Sequence, residues 1–214
     1  MSKSDEAFEL MTKFFEEGIL EPDSMVSEKQ LVELIKLGRT PVREAIQRMA
    51  LGRMLRIHPN RGLEVPAISI EEQLGALEVR RALEVLAVEL ACLRATEEQR
   101  QNMGALSTRL LEETFSLSNY TITVRQTHQM ISDSAGNSHI GRTMQPLQTL
   151  SRRFWIMNLK SDIDGHIHKG AKLHASILKA IADRDGADAT AASLALNDYL
   201  VSYAMAALPH RRIT

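Results

Sequence analysis

The sequence is poor in cysteine and in aromatic residues, and it contains no long hydrophobic run. Its 214 residues include one cysteine, Cys92, which cannot form an intramolecular disulfide. No apolar stretch approaches the ~20 residues that a membrane-spanning helix needs. The opening residues, MSKSDEAFELM, lack the basic and apolar regions of a signal peptide. These absences predict a protein of the reducing cytoplasm with no membrane partner.

The composition favours helices. Aromatic residues make up 4% of the chain, whereas alanine, leucine and methionine are plentiful. A hydrophobic fraction of 44% and a charged fraction of 25% are ordinary for a globular protein. We therefore expect a mainly α-helical fold.

The formal net charge of −1 conceals an uneven distribution. Residues 1–35 contain three basic and nine acidic residues, whereas residues 36–62 contain seven basic residues and one acidic residue. Such a concentration of positive charge is typical of a surface that binds a polyanion, although a solvated basic face would give the same count. The predicted secondary structure around these residues favours the first interpretation.

Three helices are predicted in this part of the chain. The first covers about residues 5–17. Ser27 and Gln30 form a capping box that opens a second helix, which ends near Lys36. A third helix follows after a tight turn, with Pro41 in its first turn, where the missing N–H costs nothing. Two short helices, a turn and a third helix with a basic outer face predict a helix-turn-helix, whose third helix enters the DNA major groove.

A β-hairpin is predicted directly after the third helix. In LRIHPNRGLEV, apolar residues alternate around a Pro-Asn-Arg-Gly turn, so that Leu55, Ile57, Leu63 and Val65 point inward. The turn places Arg61 at the tip of a wing, close to DNA phosphates or to the minor groove. The residues of the third helix and wing that we expect to face DNA are Arg39, Arg43, Gln47, Arg48 and Arg61.

The segments SEKQL, GRTPVREAIQRM and PNRG resemble the winged helix of the GntR family of bacterial transcriptional regulators, over about residues 18–65. The resemblance implies that Arg39 and Arg43 contact bases or phosphates and that Lys29 contacts a phosphate. It also implies that Gly62 belongs to the DNA-binding wing tip and Thr40 to the DNA-binding motif.

Three positions depart from the family pattern. Lys36 stands where the turn between the helices usually has glycine, and Gly38 stands where serine usually precedes Arg39. The glycine expected at position 53 is found at Gly52 instead. These departures concern local geometry and leave the predicted fold unchanged.

An all-α bundle of about six helices is predicted for the rest of the chain. Apolar residues lie on two sides of the first of these helices, which indicates a helix packed between others. We therefore expect a winged helix-turn-helix domain over residues 1–66 and a helical domain over residues 67–214. The predicted helices cover about residues 69–95, 96–115, 119–135, 138–159, 170–182 and 188–207.

The segments EVRRALE, THQMISDSAGN and LHASILKAI resemble the helical effector-binding domain called FCD, found in the FadR-like branch of the same family. The resemblance implies that a small ligand in the bundle changes the geometry of two DNA-binding domains in a homodimer. Many members bind a divalent metal through an aspartate and three histidines, often beside a small carboxylate.

His128 and His174 lie on apolar helical stripes, where a histidine is either a core residue or part of a shared polar site. The resemblance places the metal-binding aspartate at Val124 and the third histidine near Leu196 or Asn197, so the metal site is incomplete. Zinc usually takes at least three protein ligands. We expect a metal-free effector pocket, with a divalent metal such as zinc at His128 and His174 as the alternative. The expected effector-binding residues are Arg80, His128, Arg152, His174 and Asn197.

Two of these interpretations have local alternatives. Arg80 is four residues before Glu84, so the two can simply form an ion pair along the helix. His166 and His168 could complete a metal site, but the Asp-Gly pair beside them predicts a solvated loop.

The leading hypothesis is a homodimeric, ligand-responsive transcriptional regulator that binds a palindromic double-stranded DNA operator. The chain contains no HExxH motif, nucleophile elbow or P-loop, so an all-α metalloenzyme with a basic N-terminal module is the weaker alternative. A third possibility is an architectural DNA-binding protein without an effector.

Overall fold

The structure is a computed structural model and describes residues 2–208, which form nine helices and three short strands. The helices are α1 (Lys3–Glu16), α2 (Glu28–Ile35), α3 (Arg39–Leu51), α4 (Ile70–Arg94), α5 (Glu97–Glu112), α6 (Leu117–Ser134), α7 (Ser138–Met157), α8 (Ile163–Ala182) and α9 (Gly186–Ala206). The strands are β1 (Ser24–Val26), β2 (Arg56–His58) and β3 (Gly62–Val65). None of the described helices has the length and apolar character needed to cross a membrane.

The chain divides into two compact units. The first contains the residues up to 73 together with residues 146–157, and the second contains residues 74–145 and those from 158 onward. Helix α7 therefore begins in the second unit, and its last twelve residues, from Pro146 to Met157, belong to the first.

The first unit contains the predicted helix-turn-helix. Ser27 and Gln30 form the expected capping box, and Pro41 lies in the first turn of α3. The turn between α2 and α3 passes through Lys36, whose φ of 59° lies in the left-handed region that favours glycine. The apolar faces of α1, α2 and α3 form one core, which includes Phe8, Met11, Phe15, Leu31, Ile35, Val42, Ile46 and Met49.

The wing has one strand more than predicted. Strand β3 lies between β1 and β2 and is antiparallel to both. Leu55, Leu63 and Val65 are buried as expected, but Ile57 is 43% exposed, because it lies on β2 at the edge of the sheet. Strand β1 escaped prediction because three residues carry too little periodicity to be recognised, and their pairing partner lies about 40 residues further along the chain.

Gly52 and Arg53 show why the glycine at the end of α3 is displaced. Arg53 has the left-handed φ of 58°, whereas Gly52 has an ordinary φ of −82°. A Cβ atom on Gly52 would lie 2.8 Å from Met54 Cε and 3.1 Å from Pro146 Cβ. Glycine at position 52 therefore permits close packing, and an arginine adopts the strained conformation beside it.

Two arginines of α7, the buried Arg153 and the partly buried Arg152, bind the C-terminal end of α1. Arg153 donates hydrogen bonds to the carbonyl oxygens of Phe15 and, at 3.0 Å, of Leu20, and its guanidinium lies 4.0 Å from the Phe15 ring centroid. Arg152 forms an ion pair with Glu16, with Nη2 2.7 Å from Oε1. Burial lowers the pKa of Arg153 to about 10, yet it remains charged at neutral pH.

The second unit confirms the predicted bundle, to which helices α4 to α9 contribute. Helix α8 begins at Ile163, seven residues before its predicted start, because the Asp162 side chain caps it by accepting a hydrogen bond from the Gly165 N–H. The expectation that His166 and His168 lie in a loop was therefore wrong. On α4, Leu77 and Val88 are buried, but Leu86 on the other side is 41% exposed.

Replacing Arg153 with methionine tests the anchor between α7 and α1. The variant keeps an apolar side chain of similar length and removes both hydrogen bonds. Because hydrogen bonds from charged groups contribute about 1.5–3 kcal/mol each, we expect the free energy of unfolding of the first unit to fall by about 3 kcal/mol. Denaturation followed by circular dichroism measures the change. Arg142→Met, at an exposed position of the same helix, is the control, and equal stability of the two variants would contradict the role of Arg153.

Candidate functional site

Helix α3 presents a polar outer face next to its buried apolar face. Val42, Ala45, Ile46 and Met49 face the core, whereas Arg39, Thr40, Arg43, Gln47 and Arg48 are exposed. The helix begins at Arg39 with Gly38 as its N-cap, and no side chain caps it. Its first backbone N–H groups therefore remain available at the end of the helix that carries Arg39 and Thr40, where a phosphate would bind favourably.

Two candidate arginines of α3, Arg43 and Arg48, differ in their surroundings. The Arg43 side chain is 72% exposed, and its Nε lies 3.3 Å from Glu28 Oε2. Arg48 is held against α1, because its Nη1 lies 3.0 Å from Asp5 Oδ1 and its guanidinium lies 3.9 Å from the Phe8 ring centroid. Hydrogen bonds from Ser2 and then from Arg48 lower the pKa of Asp5. Arg48 therefore fastens α3 to α1, and its expected contact with DNA stays a prediction.

The wing tip is shaped by a glycine. Gly62 has a φ of +103°, and a Cβ atom there would lie 3.0 Å from the Val26 carbonyl oxygen. Arg61 is exposed beside it. At the base of the wing, His58 and Arg56 bind Glu64 at 2.6 and 2.8 Å, and the hydrogen bond from His58 is the largest cause that lowers the pKa of this carboxyl.

Lys29 extends from α2, and its side chain is 83% exposed. Its Nζ lies 3.8 Å from Glu33 Oε1, one helical turn away, an exposed ion pair of the kind that contributes little to stability. The predicted DNA-binding residues thus all belong to the first unit of the structure.

In the second unit, the structure brings His128 of α6 and His174 of α8 together, with ring centroids 5.5 Å apart. His174 Nδ1 lies 2.8 Å from the Gly170 carbonyl oxygen, which can only accept a hydrogen bond. The proton therefore sits on Nδ1, and in the neutral ring Nε2 carries the lone pair.

Tyr120 lies beside His174. Its hydroxyl oxygen lies 3.3 Å from His174 Nδ1, and burial, followed by the Tyr199 phenol, raises its pKa. Gly170 makes this approach possible, because a Cβ atom there would collide with the Tyr120 hydroxyl. We use the term tyrosine–histidine cluster for Tyr120, His128 and His174.

A second aromatic group adjoins the same helix. His166 Nδ1 lies 3.0 Å from the Tyr199 hydroxyl, and the His166 ring packs edge-on against Tyr203 at 5.0 Å. Burial and then Tyr199 raise the pKa of Tyr203 to about 12. The tyrosines escaped the sequence analysis, although one signal was available: the chain has three tyrosines, and all of them lie in the helical region.

The other three expected effector residues have structural partners of their own. Arg80 donates through Nε and Nη2 to Glu84 Oε1, at 2.9 and 2.7 Å, so the local alternative describes it correctly. Asn197 Nδ2 donates to the Leu77 carbonyl oxygen at 3.0 Å. Arg152 belongs to the first unit, where it binds Glu16.

The residues present do not fit a resident metal ion. Val124 is buried at the position where the family resemblance requires an aspartate, and Asn197 is bound to backbone. Within residues 2–208, His, Cys, Asp and Glu side chains form no group of three or more that could hold a metal. Two imidazoles and a phenol are an incomplete ligand set for zinc.

Comparison with known families finds two consecutive matches along the chain. The model for bacterial regulatory proteins of the gntR family matches residues 3–65, and the model for the FCD domain matches residues 76–198. The Nta operon transcriptional regulator of Aminobacter aminovorans is 34% identical over 92 residues, which span 43% of this chain and 42% of that protein. The HTH-type transcriptional repressor RspR of Escherichia coli K12 is 26% identical over 179 residues, which span 78% and 74% of the two chains.

Solved structures show the same fold. Escherichia coli McbR/YncC superimposes with a TM-score of 0.82 over 96% of this chain and 98% of that one, at 17% identity. A GntR regulator from Rhodococcus sp. RHA1 gives a TM-score of 0.68 at 18% identity. The fold and the matched families define a DNA-binding transcriptional regulator, not an enzyme. The chain belongs to the GntR family and carries an FCD domain.

Replacing Arg43 with alanine tests the DNA-binding face of α3. We expect the exposed guanidinium to contact a base edge, and because losing such a contact costs about 1–3 kcal/mol, operator affinity should fall about tenfold or more. Fluorescence anisotropy measures this on a duplex selected from random-sequence DNA by the wild-type protein. Arg142→Ala, an exposed arginine of α7, is the control. Unchanged affinity of Arg43→Ala would contradict the assignment.

Proposed function

We propose that this regulator binds a palindromic operator through residues 1–66 and that a small carboxylate, bound by residues 67–214, controls its affinity for that operator. It acts in the cytoplasm as a homodimer. The proposed DNA contacts are Lys29, Arg39, Thr40, Arg43, Gln47, Arg48, Arg61 and Gly62. The proposed ligand site is the tyrosine–histidine cluster, which replaces the wider set expected from the sequence.

The observation that carries the ligand proposal is the placement of this cluster inside a helical bundle. His174 is 5% exposed and Tyr120 is 4% exposed, and both lie between α6 and α8. Burying a tyrosine and a histidine beside a second, half-buried histidine is an expensive way to fill a core, since buried polar groups must find partners. A site for a polar ligand accounts for the arrangement.

The chemistry of the cluster favours an anion. A buried imidazole gains a proton at a large cost unless a negative charge accompanies it. A carboxylate supplies that charge and accepts charge-assisted hydrogen bonds from an imidazolium and from the Tyr120 hydroxyl. A bound small acid therefore supplies the negative charge that stabilises a protonated histidine, and no metal ion is needed.

A thermal-shift panel of mono-, di- and tricarboxylic acids tests the ligand site. A ligand that binds only the native state at 100 times its dissociation constant stabilises by ~2.7 kcal/mol, so at least one acid should raise the unfolding midpoint by several degrees. His174→Gln should abolish the shift, whereas His139→Gln, on the exposed surface of α7, should retain it. Calorimetry in two buffers of different ionisation enthalpy should show proton uptake on binding.

Two results would contradict this proposal. If an acid stabilises the wild type and His174→Gln equally, it binds outside the cluster. If an acid binds the cluster but leaves operator affinity unchanged, the site does not regulate DNA binding. A protein that no acid stabilises would match the architectural alternative.

The homodimer proposal rests on the exposed side of α4. Val79, Leu86 and Leu93 are 47%, 41% and 79% exposed, and they recur every seven residues. Gly75 and Ala82 are exposed on the same stripe, which gives the alternating spacing of four and three residues found in paired helices. The stripe explains why α4 has two apolar sides although residues 2–208 leave one of them exposed.

A second copy of the chain fits this surface. Leu93 borders an open groove that also includes Glu89 and Arg184, which are exposed and opposite in charge. In a two-fold interface the same surface meets itself, so Glu89 of each copy can face Arg184 of the other. A dimer also supplies the two winged helices that a palindrome requires.

The double substitution Leu86→Glu and Leu93→Glu tests this surface. Charge repulsion across the two-fold axis should convert the dimer to a monomer, measured by sedimentation equilibrium, with the circular dichroism of folded helices retained. Leu111→Glu, at a 53% exposed leucine of α5, is the matched control and should remain dimeric. A double variant that stays dimeric would place the interface elsewhere.

A further inference from the structure

We propose that Glu28 is a specificity-determining positioning residue, which holds the Arg43 guanidinium in the orientation that recognises a guanine. The proposal rests on DNA binding by α3, and it concerns a residue of α2 that is not itself expected to contact a base. The Glu28 side chain is 36% exposed, so it lies at the edge of the DNA-binding face and not in the core.

The backbone fixes the two residues relative to each other. Glu28 is the first residue of α2 and lies within the Ser27–Gln30 capping box, in which Gln30 Oε1 accepts from the Ser27 N–H at 2.8 Å. Arg43 is the fifth residue of α3, and the left-handed Lys36 sets the turn that joins the helices. Two well-defined helix starts therefore bring a carboxylate to an arginine 15 residues away.

The geometry of the pair decides which edge of the guanidinium faces outward. Glu28 Oε2 lies 3.3 Å from Arg43 Nε, at the inner edge of the guanidinium plane. The two terminal nitrogens, Nη1 and Nη2, form the opposite end of the fork and extend from a side chain that is 72% exposed. That end has the spacing to donate two hydrogen bonds to O6 and N7 of one guanine.

The benefit of the pair is selectivity and not general affinity. An exposed ion pair adds little to stability, and a carboxylate near the DNA repels phosphates. A freely rotating Arg43 can bind any nearby phosphate, whereas a restrained one loses less entropy when it binds a guanine. Glu28 should therefore weaken non-specific binding slightly while strengthening discrimination at one base pair.

Selection from a random-sequence duplex library tests this with wild-type protein, Glu28→Gln, Arg43→Ala and Glu33→Gln. Glu33 is the matched control, since it is an exposed carboxylate of the same helix, bound to Lys29, and its substitution changes the charge equally. We expect Arg43→Ala to lose the preference for guanine at one position of the half-site. Glu28→Gln should reduce the preference at that same position by about fivefold, a part of the discrimination that a bidentate contact supplies. Glu33→Gln should select the wild-type motif.

A second measurement separates positioning from folding. The affinity of Glu28→Gln for an unrelated duplex should equal or exceed that of the wild type, and its unfolding midpoint should match that of Glu33→Gln. A merely structural role would instead lower affinity for every duplex together with the midpoint.

Three outcomes would overturn the proposal. If Glu28→Gln selects the wild-type motif at full strength, Glu28 does not position Arg43. Equal losses in Glu28→Gln and Glu33→Gln would show a general effect of charge. If the wild-type protein enriches no motif, sequence-specific DNA binding itself is disproved. That outcome is distinguishable from a wrong role for Glu28, in which the wild type still enriches a motif.

Discussion

The contact on which the first unit depends most is the packing of two arginines of α7, the buried Arg153 and the partly buried Arg152, against the end of α1. Arg153 donates hydrogen bonds to the Phe15 carbonyl oxygen at the end of α1 and to the Leu20 carbonyl oxygen just beyond it, and Arg152 neutralises the buried Glu16. Helix α1 in turn holds α3 through the Arg48–Asp5 ion pair and a shared apolar core. The orientation of the DNA-binding helix therefore follows from a helix more than 100 residues away in the sequence.

Charged and polar residues in this protein serve two distinct physical roles, which their residue types alone do not distinguish. Arg80 donates two hydrogen bonds to Glu84 Oε1 inside the bundle, and Asn197 donates to a backbone carbonyl, so these residues maintain the packing of α4 and α9. The tyrosine–histidine cluster has a different character, because His174 is held in one tautomer by the Gly170 carbonyl and its neighbours are a second imidazole and a phenol. The first kind of residue stabilises the core, and the second has the donors and acceptors that the proposed ligand requires.

Much of the secondary structure could be predicted, because its signals are local. Capping boxes such as Ser27–Gln30 and Thr96–Gln99 place helix starts within a few residues, and the Pro-Asn-Arg-Gly turn identifies the wing. Two of the errors arose because tertiary contacts act where local signals are weak, whereas the early start of α8 follows from the local Asp162 cap. Strand β1 exists because β3 pairs with it. The partner of Arg152 is the buried Glu16 of α1, which no pattern in the sequence near Arg152 predicts.

The sequence by itself determined the helix-turn-helix, the wing, the helical bundle and the concentration of arginines at the DNA-binding face, because periodicity, caps and charge are properties of neighbouring residues. Only the tertiary structure decided which polar residues share a site. Tyr120 reaches His174 because Gly170 leaves room for its hydroxyl, and Arg43 meets Glu28 because a left-handed Lys36 turns the chain between them. Such contacts join residues far apart in sequence, and their existence depends on packing distances that no local pattern encodes.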